Sequence, residues 1–328
     1  MLSSRKTLLT VALLLALSGL CAFLIRGVHA ENQPPELKLE VALPFRFVAF
    51  GDTRFTDPAN TEAANAAARQ ALVSGIADQH PAFVSIGGDI TYSGSVADDW
   101  KVWDAETKRW RDNKIPVYPA LGNHDLKGNE QTALNNYFAR FPELQRSRFY
   151  SVRMANCLML VLDSDIDELN GAQGEWLKNN LNKIPADVAF VIIVMHHPPY
   201  TSSSDAKKFG GGHSARASEQ AFASWLEARQ QQVRARFVVF TGHIHNYERH
   251  EHGGITYFVT GGGGAHAYPI ERAPGDKFQS TEINYHYLLA EVSRDSMTVT
   301  MHRLNLQNGP ASWSVPDSVT IQSSAAAR

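Results

Sequence analysis

Beyond residue 45 the chain alternates short apolar runs with longer stretches in which apolar positions recur every three or four residues. The apolar runs predict strands over 46–51, 82–87, 117–121, 148–154, 158–163, 189–195, 237–241, 255–260, 287–292 and 297–304. The longer periods predict helices over 61–79, 96–113, 131–140, 174–182 and 218–233. The first half therefore reads strand-helix-strand-helix-strand, and the last part is nearly all strand. That order suits an α/β chain with two sheet layers and helices on their outer faces. Residues 31–44, which include Pro34, Pro35 and Pro44, read as a linker. No shift in composition separates a second domain.

The N-terminal pattern is different. Arg5 and Lys6 precede an apolar run from Leu8 to Ile25, and Val28-His29-Ala30 resembles a cleavage site. Residues 1–30 are expected to act as a signal peptide or a retained signal anchor, the run being just long enough to span a bilayer. Either form carries the rest of the chain out of the cytoplasm, to a periplasmic or extracellular place, because the positive end stays inside. Membrane contact is expected only if the segment is retained. Bulky Leu20 before Cys21 speaks against lipidation.

Composition adds limits. With 328 residues, 44% hydrophobic and 20% charged, the chain can bury a sizeable core, and disorder is excluded. A net charge of −2 without a basic patch gives no reason to expect a nucleic-acid partner. Only Cys157 lies beyond the targeting segment, so no disulfide forms within the folded body.

Five polar clusters fall at or just past the ends of apolar strands: Gly51-Asp52-Thr53-Arg54, Gly87-Gly88-Asp89-Ile90-Thr91-Tyr92, Gly122-Asn123-His124-Asp125, His196-His197 and Gly242-His243-Ile244-His245. Active sites of α/β folds form at such carboxyl ends. Singly, each has an ordinary reading: Asp52 suits a helix cap, and Gly-Asp and Gly-Asn pairs form turns. Jointly they offer carboxylate, imidazole and amide donors without thiolates, the mixture that hard and borderline metal ions prefer. There are too many for one ion and enough for two, and a metal pair suits phosphate chemistry.

In order and spacing the clusters resemble those of calcineurin-like metallophosphoesterases, and specifically the purple acid phosphatases of the single-domain, tartrate-resistant type. The carriers are Asp52, then Asp89 with Tyr92, then Asn123-His124-Asp125, then His196, then His243 and His245. Asn246-Tyr247-Glu248-Arg249 and the glycine run 261–264 extend the likeness. It implies a four-layer αββα sandwich of two mixed sheets flanked by helices, with the catalytic domain over 45–322. It also implies two metals, Fe(III) held by Asp52, Asp89, Tyr92 and His245, and Fe(II), Zn(II) or Mn(II) held by Asp89, Asn123, His196 and His243. A metal-bound hydroxide would hydrolyse a small phosphate monoester, with His124 binding phosphate or protonating the leaving group, oriented by Asp125. His213, after Gly210-Gly211-Gly212, would bind substrate. His197 is expected to face away from the metals.

One position departs from the pattern. Arg54 stands where most relatives in the superfamily carry a histidine ligand, and a guanidinium has no lone pair to offer. The resemblance puts the Tyr92 phenolate in its place, leaving Arg54 to neutralise Asp52 or to reach the substrate phosphate. Two rival functions share these residues: a phosphodiesterase or nucleotidase of the same fold, and a metal-retaining surface protein without catalysis.

Overall fold

The computed structural model describes residues 33–203, 212–306 and 311–323. The expected targeting segment 1–30, and Gly210 and Gly211, lie outside the described residues. Among the described residues no helix is long and apolar enough to cross a membrane.

Two mixed sheets form the centre. In spatial order, the first contains β1 (Glu36–Leu39), β5 (Tyr150–Met154), β6 (Cys157–Val161), β7 (Phe190–Val194), β8 (Arg236–Thr241), β10 (Ile255–Thr260) and β9 (Tyr247–His252). The second contains β13 (Ser312–Ser314), β12 (Ser296–Asn305), β11 (Tyr285–Val292), β2 (Phe45–Phe50), β3 (Phe83–Ile86) and β4 (Val117–Pro119), with β14 (Ser318–Gln322) also pairing β12. Strands β2, β3 and β4 are parallel, as are β6, β7, β8 and β10. Strands β3, β6, β7 and β10 are buried at every position, which is why they read as mostly apolar runs without polar alternation.

The sheets meet face to face. Phe47 of β2 stacks on Phe83 of β3 at 4.8 Å and meets Phe240 of β8 edge-on at 5.9 Å. Helices close the outer faces. Helix α1 (Ala66–Asp78) lays Leu72 and Ile76 on the second sheet, beside Trp110 of α3 (Lys108–Asp112). Helices α5 (Gly171–Asn182) and α6 (Ala217–Gln230) bury Leu177, Leu181, Phe222 and Leu226 against Val191, Ile193 and Val239 of the first. The result is the expected sandwich of two mixed sheets between helices.

Three local readings change. The expected linker contains β1, which pairs in parallel with β5 and leans Leu37 and Leu39 on the core. Its Glu-Leu-Lys-Leu alternation spans only four residues, and its pairing depends on a partner more than a hundred residues away. The expected helix over 96–113 is two helices, α2 (Ala97–Glu106) and α3, parted at Thr107. The Thr107 hydroxyl donates to the Trp103 carbonyl at 2.6 Å, a back-bond that bends helices. Helix α1 begins only at Ala66, where Asn65 caps it by accepting the Ala68 N–H at 3.0 Å.

Candidate metal centre

Parallel strands from both sheets deliver their carboxyl ends to one edge of the sandwich. The second sheet brings Asp52 after β2, Asp89 after β3 and Asn123-His124 after β4; the first brings His196 after β7 and His243 after β8. Asp52, Arg54, Asp89 and His243 all have left-handed backbones, with φ of 57°, 45°, 53° and 69°. Such conformations cost on the order of 1 kcal/mol or more each and persist where surroundings enforce them. Here they turn the chain sharply enough to aim side chains back over the strand ends. Glycines allow the loops to close. A Cβ on Gly122 would lie 2.4 Å from both the Asp89 nitrogen and its Oδ1, and one on Gly242 would lie 2.5 Å from Asp52 Oδ2.

Hydrogen bonds fix the imidazoles as acceptors toward the centre. His196 Nδ1 donates to the Gly87 carbonyl at 2.8 Å, so its lone pair is on Nε2. His243 Nε2 donates to the Gly212 carbonyl at 2.8 Å, leaving the lone pair on Nδ1. These two lone-pair nitrogens stand 3.2 Å apart, and His196 Nε2 is also 3.1 Å from Asn123 Oδ1 and 3.4 Å from Asp89 Oδ1. Four electron-pair donors without a proton between them repel one another unless a cation lies among them.

A second set adjoins the first. Asp52, Asp89 and His245 bring ligand atoms within 4.8 Å of one another, all buried. His245 Nδ1 donates to the His266 carbonyl at 2.9 Å, which turns the lone pair of Nε2 toward Asp52 Oδ1 at 3.7 Å. Both of those atoms are buried without a hydrogen-bond partner, a costly arrangement that a metal ion would satisfy. The residues thus fit two adjacent cations, with Asp89 placed to serve both.

Electrostatics agree with that fit. Burial, reinforced by its neighbour His196, pushes His243 down to about 3, and burial likewise holds His196 and His245 below the ordinary imidazole range. All three stay neutral, as ligands must be. Burial and the Asp89 charge drive the Asp52 carboxyl well upward. Burial opposes ionisation of Asp89 as well, but the Arg54 guanidinium and the His124 backbone N–H favour the carboxylate and keep it ionised.

Around this centre the structure revises several roles. His124 is part-buried; its Nδ1 donates to the Tyr92 carbonyl at 2.7 Å, which leaves Nε2 as the ring's acceptor. Asp125 does not orient that ring. Its Oδ1 accepts the Ile90 and Thr91 N–H groups and its Oδ2 the Gly122 N–H, so it clamps the β3 and β4 loops together. Arg54 pairs with Asp89 rather than Asp52, with Nη2 3.1 Å from Asp89 Oδ2. Tyr92 sets its ring 5.4 Å from that of His124, beneath the Lys127 ammonium at 3.8 Å. His213 lies 4.9 Å from His243 and 5.1 Å from His245, ring to ring.

His197 does not face away. Its ring is 4.3 Å from that of His243, and with His196 and His243 it forms another group of close donors. Strand β7 ends at Val194, so alternation no longer governs residue 197. Its Nδ1 lies 2.8 Å from Ser164 Oγ, which also accepts the His197 N–H. Ser164 belongs to a sixth strand-end cluster, Asp163-Ser164-Asp165 after β6, which meets the same criterion as the other five. Burial and the nearby Asp163 raise the Asp165 carboxyl to about 6, and Arg216 reaches the Ser164 carbonyl from α6's N-terminal flank.

Comparison with known proteins gives one family and a consistent fold. Residues 45–247 match the calcineurin-like phosphoesterase family. A purple acid phosphatase from yellow lupin (Lupinus luteus) seeds, PPD1, shares 17% identity with a TM-score of 0.66 over 86% of this chain and 54% of its own. This chain thus spans about half the length of the lupin enzyme. PhoD shares 13% identity (TM-score 0.60, 88% of this chain and 72% of that one). GAP50, described as the anchor in the inner membrane complex of Plasmodium, shares 14% (TM-score 0.59, 85% and 89%). At these identities the likeness is one of fold.

Proposed function

We propose, from the premise that this chain belongs to the calcineurin-like phosphoesterase family, that it is a two-metal phosphomonoesterase of the purple acid phosphatase type. A metal-dependent phosphoester hydrolase follows from the family; the monoester preference and the assignment of each residue are our reading. The observation that carries it is the pair of adjacent donor sets, His196 with His243 and Asp52 with His245, which share Asp89 between them.

On this reading Asp52, Asp89, Tyr92 and His245 would hold one ion, and Asp89, Asn123, His196 and His243 the other. When bound, the ions would neutralise phosphoryl oxygens and make a nucleophile available at neutral pH. The protein's own groups do the rest. Exposed Asn123 and part-buried His124 stand on the solvent side, where an ester enters. Arg54 and Lys127 add positive charge there, which suits a dianionic monoester better than a monoanionic diester. With its Nδ1 proton held on the Tyr92 carbonyl, His124 takes a second proton on Nε2, which burial opposes and the Asp89 charge favours, and passes it to the leaving oxygen.

A matched pair of substrates tests the reading: p-nitrophenyl phosphate and its bis-ester, given to protein carrying two metal equivalents. Faster turnover of the monoester is expected. Faster turnover of the diester would make the chain a phosphodiesterase, and no turnover of either would leave a metal-retaining protein without catalysis. A visible spectrum tests the finer assignment of a Tyr92 phenolate on Fe(III). Iron-replete protein should show a charge-transfer band that Tyr92→Phe removes, and colourless active protein would exclude that ligand.

A further inference from the structure

The Arg54 side chain is 11% exposed, and its partner Asp89 is fully buried. Nη2 and Nε both point at Asp89 Oδ2, at 3.1 and 3.4 Å. The other oxygen, Oδ1, accepts the His124 N–H at 2.8 Å and faces His196. Asp89 therefore divides its charge, one oxygen toward the His196–His243 set and the other toward a guanidinium.

This placement is built into the fold. The Arg54 N–H donates to the Asp89 carbonyl at 3.0 Å, and the Arg54 carbonyl accepts from Arg69 Nη1 at 3.2 Å. Arg69 is itself completely buried and held by Glu106 at 2.8 and 2.9 Å. Both ends of the Arg54 peptide unit are thus pinned, and its φ of 45° is sustained by that frame. No comparable cation touches Asn123 or His243 among the described residues.

We infer that Arg54 is a resident cation of the Asp52–Asp89–His245 site, competing with a metal ion for the charge of Asp89 and making this the weaker of the two sites. Loading is then sequential: the Asn123–His196–His243 side fills first and the Asp52–His245 side second. This inference rests on the two-site reading of the centre and adds which site limits occupancy. The competition is electrostatic, since the guanidinium and the ion draw on one carboxylate at contact distance.

Titration of the metal-free full chain with Zn(II), followed calorimetrically, tests it. Wild-type protein should bind in one tight and one weak step, and His245→Ala should remove only the weak one. Arg54→Gln should tighten the weak step by about tenfold or more, the scale on which one adjacent charge shifts a carboxylate equilibrium, and shift the tight step by less. Arg54→Met, similar in length and uncharged, should do the same if the glutamine variant folds poorly. Arg54→Lys should stay near wild type. An unchanged or weakened second step in both neutral variants would overturn the inference, as would loss of the tight step in His245→Ala. Two binding steps that respond as stated, in a protein that hydrolyses no phosphate ester, would sink the proposed activity and leave this inference standing.

Discussion

His124 shows how a single residue is assigned by its hydrogen bonds. The Tyr92 carbonyl can only accept, so the ring proton sits on Nδ1 and the lone pair is left on Nε2. Burial lowers the affinity of this ring for a second proton, although the Asp89 charge pulls the other way. On the proposed reading a group so placed acts on substrate rather than on metal. His124→Ala is therefore expected to lower kcat by about 10²–10⁴-fold, the usual contribution of general acid-base catalysis, while both metal equivalents remain. Metal analysis of the purified variant beside its kinetics checks this; loss of one equivalent would move His124 among the ligands. Asp125 teaches the opposite lesson. It is the next residue in sequence, yet its carboxylate serves three backbone N–H groups and leaves the imidazole alone.

At the scale of elements, the centre depends on how closely the β3 and β4 loops approach each other. Gly122 passes so near Asp89 that any side chain would strike the backbone nitrogen and the carboxylate together, at 2.4 Å each. Gly122→Ala should cost about 1–3 kcal/mol of stability, as overpacking does. Its larger effect should fall on metal content, because the residue displaced is the one that both proposed sites would share. Equilibrium dialysis against Zn(II) is the check. A variant that folds and keeps both equivalents at wild-type affinity would show that Asp89 is not the bridge. Edge elements explain another part of the sequence's silence. Strand β9 reads Tyr-Glu-Arg-His-Glu-His, and only its pairing with β10 makes it a strand.

For the whole molecule the seam between the two sheets matters most, and a buried histidine lies on it. His286 of β11 donates from Nδ1 to the Asn284 carbonyl at 3.0 Å and accepts at Nε2 from Thr260 Oγ1, at the end of β10, also at 3.0 Å. Burial lowers it to about 4, against 6.5 for the free side chain. Between those values the unfolded chain binds the extra proton and the folded one does not, so this contribution is complete above 6.5 and is lost as pH falls toward 4. The shift is worth roughly 3 kcal/mol at about 1.4 kcal/mol per unit. His286→Gln should accordingly destabilise metal-free protein most at pH near 7 and progressively less toward pH near 4. Urea unfolding of both proteins across that range measures the difference; a gap that widens in acid would show that His286 is protonated in the fold.

The sequence by itself determined most of the interior strands, the sandwich of two sheets between helices, and which donor residues follow which strands. These features are local. Strands buried on both faces are mostly apolar, and the turns after them carry the Gly, Asp, Asn and His that such turns and such chemistry require. Tertiary structure alone decided that Arg54 pairs with Asp89, that Asp125 clamps backbone, that His197 turns toward His243 and that Glu36–Leu39 completes a sheet edge. The physical reason is the same in each case. Past the end of a strand, periodicity no longer tells where a side chain points, and a polar edge strand owes its existence to a partner distant in sequence. Contacts of both kinds are set by loops from separate elements meeting in space, which spacing along the chain does not encode.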